Sequence, residues 1–172
     1  MTTTYTEKLF ADLLKAVSEK LKEFGYVKRD QVFRVVANNN CGLINFQRSV
    51  SNTKENISFT INLGVVCGDL LDYTHTITQL KDAQIVDAHV SQRIGFLLPE
   101  HQDKWWQIND STSFESLSRE IFDLVSNKVV PYISNFLNTN SVCSLWESGK
   151  SPGLTEFQRV QFLSKLKSKL NT

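Results

Sequence analysis

Leu9, Phe10, Leu13, Leu14, Val17, Leu21 and Phe24 recur at intervals of three and four residues. That spacing lines one stripe of a helix and predicts an amphipathic helix from Thr4 to Phe24. Thr4 with Glu7 three residues on has the spacing of a capping box, and Gly25 suits the left-handed position that closes a helix. Beyond Gly25 the period changes to two. Ile57, Phe59, Ile61, Leu63 and Val65 alternate with Ser58, Thr60, Asn62 and Gly64, the pattern of a strand with one face in the core and the other toward water. Upstream, Val32 to Val36 and Leu43 to Val50 predict two more strands, separated by the turn-forming run Asn38-Asn39-Asn40 ahead of Gly42. A three-strand meander is the economical arrangement.

Further along, Leu80 to Val86 has the makings of a short helix, while Val90, Ile94, Phe96 and Leu98 continue an alternating apolar set that predicts a fourth strand ending at Pro99. Trp105 to Ile108 predicts a short fifth strand, with Trp106 and Ile108 on the core side and Trp105 and Gln107 on the other. Thr112 and Glu115 repeat the capping-box spacing, and Phe114, Leu117, Ile121 and Leu124 form a helical stripe reaching Pro131, where the helix must kink or restart. Tyr132, Ile133, Phe136 and Leu137 prolong it until the polar runs 138–141 and 148–153 break it as loop. A last helix from Thr155 to Leu170 carries Phe157, Val160, Leu163, Leu166 and Leu170 as its apolar stripe, with Lys165, Lys167 and Lys169 complementing the dipole at its end. The expected fold is α+β, a four- to five-stranded antiparallel sheet (meander) with N-terminal and C-terminal helices packed on one face.

The 172 residues fit one domain, 1–172, and a chain of that size buries roughly 70% of its unfolded surface, enough for a core without disulfide or metal staples. At 41% hydrophobic and 22% charged, the composition is that of a globular protein. A net charge of +1 provides no overall field toward nucleic acid or an anionic membrane, so neither is expected as a partner. Cys41, Cys67 and Cys143 stand far apart and odd in number, which suits core thiols in a reducing compartment. The start of the chain has no basic-then-apolar secretory pattern, and no apolar run is long enough for a membrane helix, so a cytoplasmic location is expected. In that setting the Asn-x-Ser matches at Asn56 and Asn109 carry no weight.

Taken in order, the leading helix, Gly25-Tyr26, the strands around Phe33 and Ile44-Asn45-Phe46-Gln47, and Phe59-Thr60-Ile61-Asn62-Leu63-Gly64 resemble a bacterial family known as domain of unknown function 4304. Arg93-Ile94-Gly95, Trp105-Trp106 and the helix with its late Pro131 extend the resemblance, which covers residues 5–137 and leaves the helix at 155–170 as an addition. It implies a small intracellular bacterial protein and brings no activity, substrate or catalytic residue.

Strand alternation puts Asn45, Gln47, Ser58, Thr60 and Asn62 on the face opposite the core, together with Asp87, His89, Ser91, Arg93, Trp105 and Gln107. An antiparallel sheet commonly shows a polar face to water, but this set combines amides that donate and accept, an arginine able to grip an anion, and an outward tryptophan. That mixture suits recognition of a protein partner or a small anionic ligand through Asn45, Gln47, Thr60, Asn62, Arg93, Trp105 and Gln107. The alternative is a hydrolase or transferase acting on an anionic substrate through Asp87, His89 and Arg93, which two-residue spacing would align on one side of a strand. No phosphate loop, nucleophile elbow or dinucleotide fingerprint is present, so no cofactor is expected. His75 and His101 fall in loops, and with Cys67 and Asp69 they lack the paired spacing of a zinc site. A non-enzymatic binding or regulatory module is the expected function.

Overall fold

The computed structural model describes residues 4–73 and 79–171. His75 and the first three residues lie outside that range. Helix α1 spans Tyr5–Lys22, with the Thr4 hydroxyl accepting from Glu7 N–H; Glu7's own carboxylate reaches toward Arg48 at 3.8 Å. Its stripe of Leu9, Phe10, Leu13, Leu14, Val17 and Leu21 is buried as the spacing predicts, and Gly25 sits at φ +81° just past the end. Phe24 stays on the surface, because the helix ends before it.

Among the described residues six antiparallel strands follow: β1 Val27–Arg29, β2 Val32–Ala37, β3 Asn40–Arg48, β4 Ile57–Cys67, β5 Val90–Arg93 and β6 Trp106–Ile108. The first five pair in chain order, so the meander is present, while β6 pairs with β4. The β2–β3 hairpin turns on Asn38 and Asn39 at φ 52° and 60°, between the paired Ala37 and Asn40. A two-residue loop with both residues left-handed matches the twist of the flanking strands, which is why asparagines stand there. β1 has no forerunner in the sequence pattern, since its three residues are all exposed and give no alternation.

The fourth strand is shorter than the 85–98 pattern predicts. Gln92 takes the core-side place opposite Leu63 and interrupts the apolar set, and short 3-10 turns at Ile85–Asp87 and Ile94–Leu97 flank the four residues that pair. As a result Ile94 is buried and Phe96 exposed, where alternation would bury both. The chain then leaves the sheet and returns as β6 on the same edge of β4: β5 pairs with Asn62 to Val65, and β6 with Ile57 to Phe59.

Helix α2, Phe114–Leu124, is capped by Ser113, whose hydroxyl accepts from Ser116 N–H; Thr112, expected in that role, instead accepts from Asn109 N–H. A π-turn at Val125–Val129 leads into helix α3, Val130–Phe136, with Pro131 in its first turn. Proline lacks an N–H and its ring clashes with the preceding turn, so the wider turn is where the helix restarts. Run 138–141 is not a loop: Asn138 caps a further helix, α4, Thr139–Glu147, by accepting from Asn140 N–H. Helix α5, Glu156–Leu170, has a full capping box between Thr155 and Gln158.

The helices cover one face of the sheet and share a core in which Leu13, Ile121, Ile133, Trp146 and Phe162 meet Phe33, Phe46, Phe59 and Ile61. Phe59 stands at its aromatic centre, stacked on Trp106 at 5.5 Å and Phe46 at 5.9 Å. Helix α5 docks through Phe162 and Leu166, so Phe157, Val160 and Leu170 of the expected stripe face solvent, and Lys167 pairs with Glu147 of α4. On the opposite face a smaller cluster of Val32, Cys41, Leu43, Val66 and Ala83 lies beneath Leu80 and Ile85. Part of the face expected to be wet is therefore covered by residues 79–88. Among the described residues, no helix is long and apolar enough to cross a membrane.

Candidate functional site

Strand register sets Asn45, Asn62 and Arg93 side by side across β3, β4 and β5 on the face away from the helices. The Asn62 amide, nearly buried, donates to Asn45 Oδ1 at 3.2 Å and to Gln47 Oε1 at 2.7 Å, tying three of the expected residues together. Thr60 was expected on the same open face, but it is fully buried and its hydroxyl donates to the Lys104 carbonyl at 2.7 Å. The cause is residues 94–105, which fold back over this end of β4 before β6 begins.

The same excursion supplies a residue that sequence reasoning missed. Asp103 Oδ2 pairs with Arg93 Nη1 and accepts from Trp105 Nε1 at 3.0 Å, while the Arg93 guanidinium stands 5.7 Å from the Trp105 ring centre. One carboxylate thus fixes an arginine and an indole against each other, near Asn62 and Gln47. Only the tertiary turn joins positions 93 and 103; the local hint was the two-residue step from Asp103 to Trp105. As expected, one tryptophan is core and its neighbour is not: Trp106 is 5% exposed and Trp105 36%. Gln107 is exposed beside Ser58. Leu98, Glu100, Gln102, Asp103 and Lys104 line an adjoining cavity of about 210 Å³.

Asp87 and His89 do not stand on this face. Asp87 is buried in the 3-10 turn before β5, where its carboxylate accepts from Gln84 N–H at 2.8 Å. His89 is 2% exposed, its Nδ1 accepts from Cys67 N–H at 3.0 Å, and its ring lies edge-on to Phe162 at 5.3 Å. Burial lowers its pKa from 6.5 to about 4, with nearby Asp87 opposing the shift. Since Nδ1 accepts, the neutral ring carries its proton on Nε2, a buried atom without a hydrogen-bond partner among the described residues. Arg93 lies four residues along β5, roughly 13 Å away at a strand's rise.

The three cysteines are free and buried, and burial raises the Cys41 thiol to about 11 and the Cys67 thiol to about 12, far from thiolate chemistry at neutral pH. His101 is exposed in a loop at φ 48°. Among the described residues no group of three or more His, Cys, Asp or Glu side chains is placed to hold a metal ion.

No curated protein and no solved structure matches the chain. A family profile does, over residues 17–135, from the last third of α1 into α3. By that match the chain belongs to the family described as Domain of unknown function (DUF4304).

Proposed function

We propose that this protein is a non-enzymatic binding module that takes a protein partner on the open part of its outer sheet face, around Arg93, Trp105, Gln47 and Gln107. The observation that carries this reading is the bridging of Arg93 and Trp105 by Asp103. Tryptophan and arginine are the side chains that most often anchor interfaces, and holding them in place beforehand removes part of the ordering cost of association. The amide network of Asn62, Asn45 and Gln47 gives the surface beside them a fixed pattern of donors and acceptors.

Catalysis through Asp87, His89 and Arg93 has less support. His89 is sealed in the core and committed to Cys67 N–H, Asp87 caps a turn, and Arg93 is engaged elsewhere with Asp103. A bacterial cytoplasm is the setting this reading assumes, and the free thiols fit it.

Arg93→Ala and Trp105→Ala test the proposal. Both side chains are partly exposed, so each variant is expected to unfold within about 1 kcal/mol of the parent. Immobilised on a resin, the parent should retain discrete proteins from lysate that both variants lose. Identical retention by parent and variants would remove the reading.

A further inference from the structure

A second site stands at the other end of the sheet, away from Arg93. Arg34, in the middle of β2, is 6% exposed, and its Nε donates to the Ala83 carbonyl at 2.7 Å. Nη1 reaches the Val32 carbonyl only at 3.5 Å, and Nη2 makes no hydrogen bond among the described residues. No carboxylate pairs with it there either, although Asp82, the residue after Lys81, lies 3.6 Å from Arg29. A guanidinium cannot shed its charge at any ordinary pH, and a buried charge held only by carbonyl dipoles is costly. The same arginine lines a cavity of about 300 Å³ with Gly25, Val27, Arg29, Val36 and Lys81. Val27 and Val36 supply apolar walls, 70% and 52% exposed, while Arg29 and Lys81 add positive charge at the rim.

We infer that this cavity is a binding site for a carboxylate carried on a short aliphatic body. The carboxylate would accept from Arg34 at the floor, and the hydrocarbon would cover Val27 and Val36 on the way out. Each feature of the site meets a feature of that ligand: an uncompensated buried cation, apolar walls, a basic mouth, and a volume at the small end of ligand pockets. Two sources share this chemistry, a free short-chain acid and the C-terminus of a peptide ending in an apolar residue. The second would lie along β1, which among the described residues pairs only with β2 and has its other edge unpaired.

Titration calorimetry of the full chain tests the assignment with hexanoate, hexanol and hexylamine, and with acetyl-Ala-Ala-Leu as acid and as amide. Saturable one-to-one binding of hexanoate or of the peptide acid is expected, with the uncharged and cationic counterparts weaker by about tenfold or more. Binding of hexanoate assigns the free acid, and binding of the peptide acid alone assigns the chain terminus. Arg34→Met should fold at least as stably as the parent, since an apolar side chain of similar length replaces an unpaired charge, and should lose the acid. Val36→Asp places a carboxylate on the exposed wall facing Arg34, so it should also lose the acid and unfold at a higher temperature than the parent. The inference is overturned if neither acid binds, if hexanol binds as tightly as hexanoate, or if Val36→Asp leaves acid binding unchanged.

Discussion

His89 makes this fold sensitive to acid. Protonation must occur at Nδ1, the atom that accepts from Cys67 N–H, so charging the ring both breaks that bond and leaves a cation against Phe162. The folded pKa of about 4 lies below the ordinary 6.5, so the unfolded chain takes the proton first. His89's contribution is complete above pH 6.5, declines as pH falls toward 4, and is flat below that, amounting to about 3 kcal/mol. Urea unfolding of the parent and of His89→Gln at pH 7, 5.5 and 4 checks this, with a smaller acid loss expected in the variant. At Phe59 and Thr60, neighbours on opposite faces, burial outweighs alternation. Phe59→Asp places a charge amid Phe10, Phe46 and Trp106 and is expected to unfold the domain. Thr60→Asp sets a carboxylate against the Lys104 carbonyl and should cost about 2 kcal/mol, although alternation alone would have it tolerated. Circular dichroism melting curves of the two variants separate these outcomes.

Among the elements, the excursion formed by residues 94–105 decides whether the proposed interface exists, because it delivers Asp103 and Trp105 to Arg93. Gly95 permits it: a Cβ there would stand 2.0 Å from the Gln102 carbonyl oxygen. Gly95→Ala is expected to destabilise by about 2 kcal/mol and to weaken partner retention as Trp105→Ala does, measured by denaturant titration and by the same resin assay. Helix α4 depends on its cap more than on propensity, since its polar first turn reads as loop. Removing the Asn138 side chain, which accepts from Asn140 N–H, should cost about 1 kcal/mol in Asn138→Ala, seen as a shift of the urea midpoint at constant slope.

At the scale of the whole molecule, the family profile ends at residue 135 but the core does not. Val142, Cys143, Trp146, Phe162 and Leu166 belong to the same cluster as Phe59 and Ile61, and Phe162 closes over His89. A chain ending after Thr155 is therefore expected to melt at a markedly lower temperature, with Trp146 emission shifted to the red and a hydrophobic dye bound. Unchanged melting would mean that α5 contributes nothing to the core. The α+β class, the leading helix, the strand at 57–65 and the split between Trp105 and Trp106 were legible from periodicity, because a sheet face or a helix stripe must bury its apolar side whatever lies opposite. Asn45, Gln47 and Asn62 were also legible as one surface, since two-residue alternation and hairpin order suffice to align them. Asp103 beside Arg93, the cover over Thr60, the burial of His89 and the docking of α5 through Phe162 were decided by tertiary structure alone. Each depends on where an aperiodic segment lands on a sheet already formed, and periodicity records which way a side chain points from its own element, not what arrives to meet it.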